Sequence, residues 1–188
     1  VTSLYSTFYR AENITSVDFL NGLDFSNVTD MRYMFACCYK LTSVDMSSWG
    51  ISKVTNMTNL FFECEELTTV NLTGIDTSKV VSMESMFQTC TSLTTIIGIK
   101  SLDLSSCMYI SHMFRDCIAL TSIDLSNWIA PNLRTMSSMF YNCTSLKSVE
   151  IGDGVTSIGS SAFSGCSGLT SITIPNNVNS IGSSAFSG

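Results

Sequence analysis

A phenylalanine returns along this chain at nearly fixed intervals. Phe8, Phe35, Phe61, Phe87, Phe114, Phe140, Phe163 and Phe186 follow one another at spacings of 27, 26, 26, 27, 26, 23 and 23 residues. A period of this size, held end to end, is that of a solenoid, in which a unit buries its apolar side only by stacking on its neighbours. The period outranks length as a guide to domain number, and it removes most closed enzyme folds from consideration. Around each phenylalanine runs the skeleton Met-x-x-Met-Phe-x-x-Cys-x-x-Leu-Thr-x-(Val/Ile), most complete at residues 83–96.

Within a unit two hydrophobic rhythms alternate. Met31, Met34, Phe35 and Cys38 stand at offsets 0, 3, 4 and 7, which places them on one face of a short helix. Thr29–Asp30 and Thr55–Asn56 precede two such segments and suit N-capping. Leu41, Val44 and Met46 then alternate with polar residues as in a strand with one wet side. A loop follows, with a large residue twelve before the next phenylalanine: Leu23, Trp49, Ile75, Leu102 and Trp128. The two tryptophans read as core filling. Each unit is thus expected to be strand, loop, short helix and turn.

The whole of 1–188 reads as one solenoid. Residues 1–28 form a worn first repeat with Phe8, Ile14, Val17 and Phe19 in inward slots, 29–149 repeat at about 26 residues, and 150–188 repeat at 23. In the shorter repeats Val155 and Ile158 suggest a second short strand, while Leu169–Ile174 repeat the main strand up to Pro175, which has no N–H to donate. The fourth unit departs from the pattern. Thr94–Thr95–Ile96–Ile97–Gly98–Ile99 puts isoleucine where an acid or amide faces water, glycine where leucine turns inward, and one residue extra, so a distorted strand or bulge is expected. The chain opens at Val1 in mid-pattern and stops at Gly188 within a unit, so a longer parent and an end that pairs with another copy are both expected.

Six cysteines, Cys38, Cys64, Cys90, Cys117, Cys143 and Cys166, stand three residues after their phenylalanine, and Cys107 holds a slot taken elsewhere by Val28, Val54, Val80 and Leu133. These are packing positions, so a buried ladder of free thiols is favoured over a disulfide framework. Paired C-x2-C spacing for zinc is absent. With 15 acidic against 9 basic residues and a net charge of −6, the chain has no basic cluster for nucleic acid or anionic lipid. Nor does any apolar run reach the ~18 residues of a membrane helix.

The run Met-x-x-Met-Phe-x-x-Cys-x-x-Leu-Thr-Ser-Val-Asp-Leu-Ser-x-Trp resembles the BspA-type leucine-rich repeat in its DUF285-like variant. The Ile-Gly-x-x-Ala-Phe-x-x-Cys-x-x-Leu-x-x-Ile-x-Ile-Pro unit after residue 150 is similar to the 23-residue repeat of the same group. The resemblance implies an α/β solenoid, a leucine-rich-repeat horseshoe with a parallel β-sheet on the concave face and short helices on the convex face. It also implies a secreted or surface-anchored protein engaged in adhesion to host or matrix components.

No catalytic residue is assigned. His112 is the only histidine and is expected on the surface, no nucleophile motif accompanies it, and neither a metal site nor a cofactor is read from the sequence. The residues that could bind something form columns, because strands stacked about 4.8 Å apart align equivalent positions. Asp18, Asp45, Asn71, Ile97, Asp124, Glu150 and Thr173 make one column; Ser16, Ser43, Thr69, Thr95, Ser122, Ser148 and Ser171 make its hydroxyl neighbour on one side, and Ser47, Thr73 and Ser126 on the other. The candidate ligand-binding set on the concave face is therefore Asp18, Asp45, Asn71, Asp124, Glu150, Ser43, Thr69, Ser122 and Ser148. A protein or glycan ligand suits such a face; keeping the sheet soluble, within a stalk that spaces another domain, is the other reading. Calcium is disfavoured, since one oxygen per strand is a thin set for an ion that takes 6–8.

Overall fold

The computed structural model describes residues 1–133 and 136–188. Strands β1 (Ser43–Asp45), β2 (Thr69–Asn71) and β3 (Thr95–Ile97) form one parallel sheet in the order β1-β2-β3. β4 (Ser122–Leu125) pairs β5 (Ser148–Ile151), and β6 (Ser157–Ile158) pairs β7 (Ser180–Ile181), also in parallel. Equivalent positions of successive repeats lie side by side, so the chain is a parallel solenoid.

Among the described residues the helices expected opposite the sheet do not form. In residues 31–38 the N–H groups alternate. Met34, Ala36 and Cys38 donate three residues back, to Met31, Tyr33 and Phe35, whereas Tyr33, Phe35 and Cys37 donate to Thr58, Leu60 and Phe62 in the next coil. A left-handed residue recurs every four positions, as at Tyr33 and Cys37, Asn59 and Glu63, or His112 and Asp116. The segment is a chain of four-residue turns, and a period of four brings offsets 0, 3, 4 and 7 to the inside as well as a helix does. Spacing decides between them. Coils stacked at strand distance leave about 4.8 Å per repeat, and an α-helix with its side chains is about 10 Å across. Turns fit that pitch and hydrogen-bond between coils.

The supposed caps serve those turns. Thr29 and Thr55 hydroxyls donate one coil back, to the Thr2 and Thr29 carbonyls at 3.1 Å, while Asp30 and Asn56 accept the N–H two residues on.

The phenylalanines form one continuous column from Phe8 to Phe186, with ring centroids 5.2–5.6 Å apart and planes within 13°. Beside it runs the cysteine column. Each of its six thiols donates to the carbonyl of the phenylalanine one coil back at 3.0–3.1 Å, from Cys38 to Phe8 through Cys166 to Phe140. All eight cysteines are buried and free. Burial pushes the thiols of Cys38, Cys107 and Cys166 up to about 11, and raises those of Cys64, Cys90, Cys117 and Cys143 well above the ordinary value.

Three sequence assignments shift at the ends. In the first coil Leu20 fills the inward slot assigned to Phe19, which is exposed and meets Phe8 edge-on. Phe25 takes the place given to Leu23 and stacks on the buried Trp49 at 4.8 Å. In the last coils residues 169–175 form no strand; the pairing there is made instead by β6 and β7, where the second short strand was expected.

Candidate recognition face

The face carrying the columns is built by strands of three or four residues whose second residue, such as Val44, Val70 or Val149, points into the core, leaving its neighbours outside. The register places Ser43, Thr69 and Thr95 in one row and Asp45, Asn71 and Ile97 in the next. Ser122 faces Ser148, and Asp124 faces Glu150. Two members leave the column: Asp18 lies in a 3-10 turn (Asp18–Leu20), and Thr173 lies outside any strand. The structure thus brings together Ser43, Thr69, Asp45 and Asn71 on one sheet, and Ser122, Ser148, Asp124 and Glu150 on another. Asp18, in its 3-10 turn, belongs to neither sheet.

The acids have local work as well. Asp45, Asn71 and Asp124 each accept, at their own Oδ1, the backbone N–H two residues on: Ser47 at 2.9 Å, Thr73 at 3.0 Å and Ser126 at 2.9 Å. These Asx turns end the strands. The same device marks a second corner at Asp24, Asp76 and Asp103. Hydrogen bonds from Ser47 hold the Asp45 carboxyl below the usual range. Asp124 is held down to about 2, first by Lys100, whose Nζ lies 2.7 Å away, and then by Ser126. The like-charge pair Asp124–Glu150 is relieved by that lysine, and the fixed Oδ1 orients each carboxylate outward.

The face is not continuous. β3 carries the exposed Ile97 and has no strand partner in β4; a 3-10 turn (Ile99–Ser101) stands between them. The irregularity expected at the fourth unit is a left-handed Gly98 followed by that turn, with Trp128 Nε1 donating to the Ile99 carbonyl at 2.9 Å. A cleft of about 250 Å³ opens there. Reading the sequence located the irregularity but missed the cleft, whose only signal was Ile97-Gly98-Ile99 with one residue in excess.

Elsewhere the surface offers little chemistry. His112 is half-buried in a left-handed turn, and burial, with Arg115 nearby, lowers its pKa. Among the described residues no three His, Cys, Asp or Glu side chains converge as a metal site. Among the described residues no helix is long and apolar enough to cross a membrane.

The family described as the BspA type leucine-rich repeat region, in six copies, matches residues 84–188. The chain belongs to the BspA-type leucine-rich-repeat family. Residues 1–93 of this BspA-type chain match a second family, described as Mycoplasma protein of unknown function, DUF285. No curated protein sequence matches it. Solved structures that share the fold include two bacterial proteins. A leucine-rich-repeat protein of T. pallidum is 21% identical with a TM-score of 0.57, over 90% of this chain and 71% of that one. One from Eubacterium ventriosum is 24% identical with a TM-score of 0.62, over 87% of this chain and 41% of that one. Identities this low establish architecture alone.

Proposed function

We propose that this BspA-type chain is a non-catalytic recognition module of a secreted or surface-displayed protein, which adheres to a host or matrix protein through its sheet face. The observation that carries the reading is a pair of in-register patches of Ser/Thr hydroxyls beside carboxylate and amide groups, Ser43–Asp45 with Thr69–Asn71 and Ser122–Asp124 with Ser148–Glu150. Such an array is rigid before a partner arrives, so little ordering cost is left at binding. Leucine-rich repeats are in general an interaction fold, and the surface association implied by the family supports display outside the cell.

The test is a screen of the purified chain against immobilised extracellular-matrix proteins and glycans, beside a variant carrying Asp45→Ser, Asp124→Ser and Glu150→Thr. Binding by the parent chain that drops at least tenfold in the variant is the expected result. Binding that is equal in both moves the site off the sheet face. Binding by neither favours the second reading, a spacer. The uninterrupted Phe8–Phe186 stack, which runs through the break in the sheet, is what such a stalk needs.

A further inference from the structure

At the fourth and fifth coils the solenoid is closed on the turn side and open on the sheet side. Met83, Ser85, Phe87 and Thr89 donate across to the Tyr109, Ser111, Met113 and Arg115 carbonyls at 2.8–2.9 Å, and Phe87 stacks on Phe114 at 5.6 Å. On the sheet side the rungs stop. Thr68 N–H reaches the Thr42 carbonyl, Thr94 N–H the Thr68 carbonyl and Lys147 N–H the Thr121 carbonyl. Among the described residues, no backbone hydrogen bond joins 94–97 to 120–125.

The direction of the idle groups follows from strand geometry. In a parallel strand alternate residues point their N–H and C=O to opposite sides. Met46 N–H bonds the Asn71 carbonyl and Leu72 N–H bonds the Ile97 carbonyl, so residues of the Asp45–Asn71–Ile97 row face the preceding coil. Ile96 therefore turns its N–H and C=O toward β4, and Ser122 and Asp124 turn theirs toward β3. The excess residue keeps these edges apart. Gly98 is left-handed, at φ 83°, and packs so closely that a Cβ there would lie 2.8 Å from the Leu72 carbonyl carbon. It launches the 3-10 turn from which Lys100 reaches Asp124. The cleft between has Ile96, Ile99, Leu120 and Ile123 as apolar lining and Thr95 and Ser122 as hydroxyl rim.

We propose that this cleft binds an extended peptide segment, whose main chain pairs with Ile96 on one side and with Ser122 and Asp124 on the other. Two facing strand edges with idle donors and acceptors select a ligand that itself carries alternating N–H and C=O groups, the mode of β-strand addition. The volume holds about eight waters' worth of matter at ~30 Å³ each, which suits a short stretch with small apolar side chains. The exposed Lys100–Asp124 pair, side chains 46% and 44% accessible, is weak enough to yield to an entering chain. The site lies on the recognition face, yet its occupancy does not depend on the three carboxylates altered above being the adhesive groups.

The test is an amide NMR titration of the full chain with acetyl-Thr-Val-Thr-Val-Thr-amide. The expected result is saturable shifts confined to residues around Ile96, Ser122 and Asp124, with slowed exchange of their amides. A peptide N-methylated at alternate residues then binds at least tenfold more weakly to the unaltered chain. Ser122→Pro removes a donor facing the gap without breaking a rung, and abolishes the shifts. Equal binding of the N-methylated peptide, shifts spread evenly over β1, β2 and β5, or no shift at millimolar peptide each overturns the proposal. The N-methyl comparison stands even where the proline variant does not fold.

Discussion

Fourteen non-glycine residues among those described hold left-handed backbone, and they fall in two columns two residues either side of the phenylalanine. Gly165 and Gly188 continue the second column, where Asn142, Asp116, Thr89, Glu63 and Cys37 precede them. Thr89 is the least suited, being β-branched at φ 61°. Left-handed backbone costs an L-residue about 1–2 kcal/mol, while glycine loses about 0.5–1 kcal/mol more in ordering. Thr89→Gly is therefore expected to stabilise the chain by roughly 0.5–1 kcal/mol, seen as a higher urea midpoint; a lower midpoint would show that Thr89 is not left-handed. The thiols make a second claim at this scale. A thiol reagent at pH 8 should find almost none in the native chain and close to eight after denaturation without reductant. A denatured count near zero would mean bridges.

Elements carry the pH response and the packing. Folding raises the pKa of the column cysteines, so the unfolded chain loses these protons first as pH rises. Their contribution is whole below the ordinary thiol value of about 8.5 and is lost toward about 11 and beyond. Thermal midpoints should fall from about pH 9 upward, less steeply in Cys90→Ala; an unchanged slope would remove the ladder as the cause. In the aromatic column, Phe87→Ala leaves a gap between Phe61 and Phe114 and should cost roughly 3–5 kcal/mol in urea unfolding. Strand edges give a sharper contrast. Lys147→Pro removes the N–H that donates to the Thr121 carbonyl at 2.8 Å and should cost at least about 1 kcal/mol, whereas Ser122→Pro, facing the gap, should be nearly neutral. Equal losses would mean that β3 and β4 are paired in solution.

For the molecule as a whole, repeat length, sheet register and the phenylalanine and cysteine columns were legible in the sequence, because stacking makes every repeat restate them. The turn side was not. Offsets 0, 3, 4 and 7 at Met31, Met34, Phe35 and Cys38 fit a helix and a run of four-residue turns equally, and the deciding quantity is the distance between coils, which no single repeat encodes. Asp18 was misplaced because the first coil keeps apolar volume but shifts it by one residue, from Phe19 to Leu20. The cleft escaped notice since it is a property of two neighbouring coils that differ. The candidate groups of β1 and β2 are positioned by a backbone knit between coils on the sheet and turn sides alike. Beside β4, among the described residues, the turn side alone carries that knit into the preceding coil, so native-state hydrogen exchange tests the account directly. The amides of Phe61, Phe87 and Phe114, which donate to Met86, Met113 and Met139 at 2.9 Å, should exchange as slowly as that of Val70 in the sheet. Exchange at markedly lower opening energy than Val70 would contradict the account, leaving the turns as independent elements hung on a single sheet.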